Sequence, residues 1–355
     1  MHLFDPIEIR GAVLRNRIVI SPMCEYSSRD GFASNWHLVH LGSRAVGGAG
    51  LIFTEATAVS PEGRISPNDL GIYREEHVSK LAEIAEFIHA QGAVAGMQLA
   101  HAGFKASTAP PWTGGGPMDP EHGGWRPIYA PSAIPFRAGW IVPEALTVRQ
   151  IDRVVADFAL AARRAVTAGF RVLEIHAAHG YLLHEFLSPL ANKRDDKYGG
   201  TFENRTRFVC EVVEAVRAEI PEQVPLFVRL SASDWIDGGW TLDDSVHLAR
   251  ALKSHGVDLI DASSGGISPH AKIEVAPGYQ VPFARRIRAE AGIATGAVGL
   301  VTKAQQAQEI VASGSADLVL IAREALRRPY WPLHAAAQLG VDVPWPVQYE
   351  RAKPV

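Results

Sequence analysis

The stretch TVRQIDRVVADFALAARRAVTAGFRVLEIHA, residues 147–177, joins a helical pattern to a short β-like run and indicates the fold. In its first part apolar residues recur every three or four positions, which is typical of a helix with one buried face. Thr147 is a candidate N-cap, and Gly169 is a candidate C-terminal stop. RVLEIHA, residues 171–177, follows with nearly continuous apolar character, as in a strand buried on both faces. The stretch predicts a helix that leads into a parallel strand.

The same alternation extends along the chain. Eight β-like runs occupy residues 17–21, 51–56, 94–100, 171–177, 225–231, 257–263, 293–298 and 316–322. Further helical patterns occupy residues 75–92, 204–219, 241–256, 279–291 and 302–314. Eight strands alternating with helices in 355 residues predict one α/β domain, residues 1–355, folded as a (β/α)8 TIM barrel. A doubly wound sheet is the alternative, but no G-x-G-x-x-G motif follows any strand.

Residues 107–136 interrupt this rhythm after the third strand. The segment is rich in glycine and proline, and in a barrel it would lie on the face where active sites are built. Long ordered loops are usually lids or binding loops. Trp112 and Trp125 favour a loop that caps the site, because bulky aromatic residues are depleted in disordered segments.

Composition excludes several classes of protein. The 35 basic and 38 acidic residues give a formal charge of −3 with no basic stripe, so a nucleic-acid partner is not expected. Two cysteines, Cys24 and Cys210, are too few for a disulfide framework or an iron–sulfur cluster. No apolar run resembles a signal peptide or spans a bilayer, so we expect a cytoplasmic protein without membrane contact.

Candidate chemistry collects at the ends of the predicted strands, where barrel enzymes place their active sites. Gly299 and Arg323 follow the seventh and eighth strands, where barrels commonly bind phosphate. Gln98 and Arg229 offer planar hydrogen-bond donors suited to a flat ring that accumulates negative charge. His176, His179 and Tyr181 follow the fourth strand as a possible acid–base group. Together these groups suggest a flavin mononucleotide (FMN) enzyme.

Each of these residues also has an ordinary interpretation. His176 and His179 could bind zinc, but no third ligand is evident, so no metal site is predicted. Tyr181 could be an aromatic residue that only packs in the core, and Cys24 could be a small buried apolar residue. Arg229 and Arg323 could form ion pairs with carboxylates.

The sequence resembles the Old Yellow Enzyme family of FMN-dependent ene-reductases, in particular its thermophilic-like subgroup. The matching motifs cover nearly the whole chain in order: RNRIVISPMCEYSS, EATAVSPEGRIS, MQLAHAG, EIHAAHGYLLHEFLSPLANKRDDKYGGTFENRTRF, LFVRLSASDW, APGYQVPFA, ATGAVG and PVQYER. The resemblance implies that FMN lies at the C-terminal face of the barrel and that NADPH or NADH reduces it.

The resemblance also implies roles for individual residues. The FMN contacts would be Ser21, Pro22, Met23, Cys24, Ala56, Gln98, Arg229, Ser264, Gly265, Gly299, Ala322 and Arg323. Cys24 would tune the flavin potential. His176 and His179 would bind the carbonyl oxygen of an electron-poor alkene, Tyr181 would donate a proton, and Tyr26 would line the substrate pocket. Arg351, in a tail spanning residues 340–355, would enter the site of a neighbouring subunit in a dimer or dimer-based tetramer.

The expected activity is the reduction of activated C=C bonds in enones, enals, maleimides or nitroalkenes by ping-pong hydride transfer. There are two alternatives. One is a dienoyl-CoA-type reductase, but such enzymes hold an iron–sulfur cluster and this chain has too few cysteines for one. The other is a non-catalytic flavin-binding protein. Two positions depart from the family pattern. Phe104 stands where relatives usually carry arginine, and Ala322 stands where glycine is usual.

Overall fold

The eight runs that the sequence predicts as strands form a closed parallel barrel in the computed structural model, which describes residues 1–354. In chain order the strands are β1 (Ile7–Ile9), β2 (Ala12–Leu14), β3 (Ile18–Ile20), β4 (Leu51–Ala58), β5 (Val94–Ala100), β6 (Tyr129–Ala130), β7 (Glu144–Ala145), β8 (Val172–Ala177), β9 (Leu226–Ser231), β10 (Leu259–Ser263), β11 (Ala294–Ala297) and β12 (Leu318–Ile321). The barrel runs β3-β4-β5-β8-β9-β10-β11-β12 and closes from β12 back to β3. The TIM-barrel prediction is confirmed, and the doubly wound alternative is wrong.

Helices follow the barrel strands and pack around them. They are α1 (Asn35–Val46), α2 (Val78–Ala90), α3 (Val148–Thr167), α4 (Leu182–Leu187), α5 (Phe202–Glu219), α6 (Leu242–Ser254), α7 (Val281–Ala291), α8 (Ala304–Ala312), α9 (Arg323–Arg327) and α10 (Trp331–Gln338). Thr147 caps α3 as predicted: its hydroxyl accepts a hydrogen bond from the Gln150 backbone, and the Gln150 side chain returns to the Thr147 backbone. Gly169 follows the helix with a φ of 89°.

The α1 helix has no counterpart in the sequence prediction. Its buried face carries His37, His40, Gly42 and Arg44, so polar side chains occupy much of the face that an apolar pattern would mark. Gly42 lets α1 approach α2 closely, because a Cβ at this position would lie 2.8 Å from the ring of Phe87. Within residues 1–354, no helix has both the length and the apolar character needed to cross a membrane.

The antiparallel hairpin of β1 and β2 packs against one end of the barrel. Ile9, Ala12 and Leu14 are buried in a cluster with residues near the beginnings of the strands, including Leu51 and Val172. The N-terminal end of the barrel is therefore filled by apolar side chains. Polar groups are left to collect at the opposite end, where the strands finish.

The connection between β5 and α3 contains the glycine- and proline-rich segment 107–136. It is ordered by short 3-10 turns, including Pro111–Thr113 and Pro120–His122, and by a parallel pairing of β6 with β7. Trp125 is half-buried, and its indole nitrogen donates to the carbonyl of Glu62 over 3.2 Å. Trp112 is 68% exposed, but its ring meets that of Tyr26 edge-on at 5.6 Å.

Candidate functional site

The register of the barrel strands brings several predicted site residues side by side. Ala56 pairs with Gln98 across β4 and β5, and Gln98 pairs with Glu174 across β5 and β8. On the next strands His176 pairs with Arg229. Parallel neighbours in register lie about 5 Å apart. Ala56, Gln98 and Glu174 therefore form one row of neighbours, and His176 and Arg229 form a second row beside it.

Arg229 is a buried arginine that contacts two buried side chains in this region. Its Nη1 donates to Ser21 Oγ over 3.1 Å, which links β9 to the residue that follows β3. Its Nε lies 3.0 Å from Asp261 Oδ2, within ion-pair distance but without hydrogen-bond alignment. Burial raises the pKa of Asp261, and the charge of Arg229 opposes that rise. Arg229 is thus a buried cation with donor capacity to spare.

Gln98 is held by Glu174, a carboxyl group that the sequence analysis did not single out. Gln98 Nε2 donates to Glu174 Oε1 over 2.7 Å, and both side chains are buried. Burial, followed by the charge of Asp261, raises the pKa of Glu174. Glu174 lies inside β8 and would be read from sequence only as a buried charge.

His176, His179 and Tyr181 come together at the end of β8. The His176 ring lies 5.1 Å from that of His179 and 5.0 Å from that of Tyr181, edge-on in both cases. Neither ring nitrogen of His176 has a hydrogen-bond partner in residues 1–354, and its Nδ1 is fully buried. His179 Nε2 lies 2.6 Å from Ser263 Oγ, which leaves Nδ1 without a partner among the same residues.

Burial fixes the protonation states of these three side chains. It lowers the pKa of both imidazoles well below the usual value, and the charge of Arg229 adds to the effect. It raises the pKa of the Tyr181 hydroxyl well above the usual value. At neutral pH the group therefore consists of two neutral imidazoles, each with one N–H donor, and a protonated phenol.

Cys24 and Tyr26 lie in a small cluster with Tyr181. Apolar residues of the β5–α3 connection and its surroundings complete the cluster, among them Ile65, Ile128 and the half-buried Trp125. Burial, followed by the charges of Asp69 and Glu55, raises the pKa of the Cys24 thiol well above its usual value. Cys24 is therefore an uncharged thiol and not a reactive thiolate.

A cavity of about 240 Å³ opens beside the ends of β11 and β12. Gly299, Ala322 and Arg323, all predicted cofactor residues, lie in its lining. Gly299 has a φ of 128°, a conformation that glycine adopts readily. Ala322, the departure from the family pattern, directly precedes α9.

Ser264 and Gly265 connect this cavity to the end of β10. The Ser264 hydroxyl donates to Gln280 Oε1 over 2.6 Å, and Gln280 also lines the cavity. Gly265 has a φ of 69°, and a Cβ there would lie 2.7 Å from Ile273 Cδ1. The cavity-lining residues Ser263, Tyr279 and Gln280 were not predicted. Tyr279 and Gln280 lie within the quoted motif APGYQVPFA, which was the available signal.

Pro22 and Met23 join Ser21 to Cys24 in the loop after β3. Pro22 is half-buried, and Met23 packs partly buried against the main core. Arg351 lies exposed in the 3-10 turn Val347–Ala352. Phe104 is buried, and its ring packs 5.4 Å from that of Phe136. In the described part of the chain, no group of three or more His, Cys, Asp or Glu side chains has metal-binding geometry.

Comparison with known proteins gives consistent matches over nearly the whole chain. Residues 2–341 match the model of the NADH:flavin oxidoreductase / NADH oxidase family. NADPH dehydrogenase of Geobacillus sp. (strain WCH70) is 53% identical over 351 residues, with 98% of each chain covered. NADPH dehydrogenase of Bacillus subtilis (strain 168) is 49% identical over 354 residues, also with 98% of each covered.

Solved structures agree with this relationship. Morphinone reductase superposes with a TM-score of 0.80 at 26% identity, covering 96% of this chain and 90% of that one. A 2-naphthoyl-CoA reductase complex superposes with a TM-score of 0.86 at 26% identity. That match covers 96% of this chain but 52% of the other, so the chain spans about half the length of the naphthoyl-CoA reductase.

Proposed function

The chain belongs to the NADH:flavin oxidoreductase / NADH oxidase family, and from this premise we propose that it reduces activated C=C bonds. It is a flavoprotein oxidoreductase with FMN as its cofactor and a reduced nicotinamide as its electron donor. The family, enzyme class and cofactors predicted from the sequence are confirmed. The alkene substrate and the residue roles below are our proposal.

The residues at the barrel end fit FMN. A flat ring that gains negative charge on reduction requires planar donors and a cation, and Gln98 and Arg229 supply them. The spare capacity of Arg229 and the unpartnered His176 Nδ1 support a polar occupant. For the phosphate, the cavity lined by Gly299, Ala322 and Arg323 offers backbone N–H groups and a guanidinium.

One observation carries the proposed reaction: two neutral imidazoles with unpartnered nitrogens lie beside a protonated tyrosine. FMN, held near Gln98 and Arg229, would supply the hydride for the reduction of the C=C bond. His176 and His179 would donate hydrogen bonds to the carbonyl oxygen of the substrate, which becomes more negative as the reaction proceeds. Donors directed at developing charge stabilise the transition state more than the ground state.

Tyr181 would supply the proton to the α-carbon. Its hydroxyl stays protonated at neutral pH because burial raises its pKa, so it can act as a general acid. The imidazoles cannot readily take this role, since burial keeps them neutral and disfavours a second proton. Nicotinamide and alkene would use one site in turn, and this would give ping-pong kinetics.

Steady-state assays test the proposal against the alternatives. NADPH oxidation should be strongly stimulated by 2-cyclohexenone, and the product should be cyclohexanone. A non-catalytic flavin-binding protein would show no enone-dependent turnover. A CoA-dependent reductase would require a CoA thioester, and the 98% coverage of the NADPH dehydrogenases supports the simpler substrate.

Replacing Cys24 should change the flavin potential and leave FMN bound. The thiol is uncharged, so Cys24→Ala removes at most one neutral hydrogen bond near the flavin. A bond worth about 1 kcal/mol corresponds to roughly 20 mV for a two-electron couple. Redox titration of purified protein measures the shift. Cys210→Ala, the same change in α5, is the matched control, and equal potentials in both variants would remove the tuning role.

The loop of residues 107–136 would cap the substrate site, because Trp125 and Trp112 contact the cluster that contains Tyr26 and Tyr181.

The location in the cytoplasm remains a prediction from composition.

We expect the chain to form a dimer or dimer-based tetramer through its tail. Val347 is 79% exposed and Tyr349 is 45% exposed, which supports a partner surface at residues 340–355. Arg351 would then enter the neighbouring site, and Arg351→Ala should raise the KM for enones about tenfold, as for loss of a charged hydrogen bond. Arg285→Ala, an exposed arginine on α7, is the control. A gel-filtration mass equal to one chain would count against the assembly.

A further inference from the structure

Lys105 lies half-buried beside His179 and Tyr181, and the mechanism proposed above gives it no role. It ends the 3-10 turn Gly103–Lys105, just after β5. Its Nζ donates to the carbonyl of His179 over 2.7 Å and to the carbonyl of Gly266 over 2.6 Å. One ammonium group therefore joins the loop after β8 to the loop after β10.

These two loops are in close backbone contact at Gly180 and Gly266. A Cβ on Gly266 would lie 2.5 Å from the backbone of His179, and a Cβ on Gly180 would collide with the carbonyl oxygen of Gly266. His179 itself has a φ of 59°, which is uncommon for a residue with a side chain. Such a conformation persists only where surrounding contacts impose it, and the bond from Lys105 to the His179 carbonyl is one such contact.

Ser231 forms a second bridge between the same loops. Its hydroxyl accepts a hydrogen bond from the His179 backbone over 2.9 Å and donates to the Gly265 carbonyl over 2.7 Å. Lys105 and Ser231 thus hold the backbone of His179 from both its N–H and its C=O. The direction of the imidazole follows from the orientation of that backbone.

Two aromatic rings lie close to the amine of Lys105. Its Nζ lies 4.3 Å from the ring centre of Phe136 and 5.5 Å from that of Tyr181, within cation–π range. No carboxylate of residues 1–354 lies within 4.0 Å of it, and Glu185 acts from farther away. Burial lowers the pKa of Lys105 to about 8, and the charge of Glu185 opposes that fall.

We propose that Lys105 is a positioning residue, which clamps the His179 loop to the Gly266 loop. It thereby fixes the direction of the His179 imidazole and the position of the Tyr181 ring. This inference rests on the proposed function. Small displacements of groups that contact the reacting atoms can reduce rates by about 100-fold. Loss of the clamp should therefore slow the alkene half-reaction without removing any group that touches the substrate.

The test is Lys105→Met, which keeps the length of the side chain and removes the donors. We expect stoichiometric FMN, about tenfold weaker binding of 4-hydroxybenzaldehyde in a flavin absorbance titration, and a 10- to 100-fold slower reaction of the reduced holoenzyme with 2-cyclohexenone. Lys105→Arg, which keeps the charge and several donors, should recover most of both losses. A lysine with only a scaffolding role would lower the melting temperature without this recovery.

Lys193→Met is the matched control, because the exposed Lys193 also donates to one carbonyl, that of Pro189, over 2.6 Å. If Lys105→Met does not retain FMN, Lys105→Gln replaces it, and its remaining N–H donors should give an intermediate loss of about threefold to tenfold. Phenol affinity and enone reactivity within twofold of wild type in the Met or Gln variant would overturn the inference. A wild-type enzyme that does not reduce enones would instead refute the proposed function.

Discussion

Tyr181→Phe should slow the reaction of the reduced enzyme with 2-cyclohexenone by about 100-fold or more, the contribution typical of a general acid. The change removes only the hydroxyl, so the edge-on packing of the ring against His176 at 5.0 Å is retained. Burial keeps the Tyr181 hydroxyl protonated, so the change removes the proton donor of the proposed mechanism. Water would then have to supply the proton.

The reductive half-reaction separates this role from a general loss of structure. Oxidation of NADPH needs no proton from Tyr181, so its rate in stopped-flow measurements should remain within a few-fold of wild type. Tyr129→Phe, the same change in β6 of the β5–α3 connection, should leave both half-reactions intact. Equal losses in the two half-reactions of Tyr181→Phe would refute the proton-donor role.

His176→Ala should lower kcat/KM for enones by about 100-fold or more, the cost of removing one donor from a developing oxyanion. His176 is the cleaner of the two imidazoles to test, because its ring makes no hydrogen bond within residues 1–354, whereas His179 contacts Ser263 and Lys105. A phenol that presents an oxyanion should also bind more weakly to the variant, and more weakly still when His179→Ala is added.

His176→Asn provides the control for this experiment. The amide keeps one N–H donor near the position of an imidazole nitrogen, so part of the lost rate should return. Titration of the flavin absorbance with 4-hydroxybenzaldehyde measures the affinities. Unchanged phenol affinity in the double alanine variant would exclude the imidazole pair as the oxygen-binding group.

The barrel could be predicted from the sequence because each of its strands is a short apolar run separated from the next by a helix. The prediction missed α1, because His37, His40 and Arg44 occupy much of the buried face that apolar residues would otherwise mark. It also missed the β1–β2 hairpin, whose three-residue strands are too short for an alternating pattern to be recognised.

Strand ends gave a useful list of candidate site residues, but not their partners. Glu174 and Asp261 lie inside strands, and their pairing with Gln98 and Arg229 exists only once the barrel closes. Lys105 is one residue in a loop, and its two carbonyl partners lie 74 and 161 residues away in sequence. Contacts between loops of this kind leave no periodic pattern in the sequence.

An anaerobic reoxidation experiment tests the central claim most directly. The FMN-loaded protein is reduced with one equivalent of NADPH in the absence of oxygen and then mixed with 2-cyclohexenone. We predict that the visible absorbance of oxidised flavin returns fully and that one equivalent of cyclohexanone forms. Flavin that stays reduced in the presence of excess enone, yet reoxidises when air is admitted, would contradict the account.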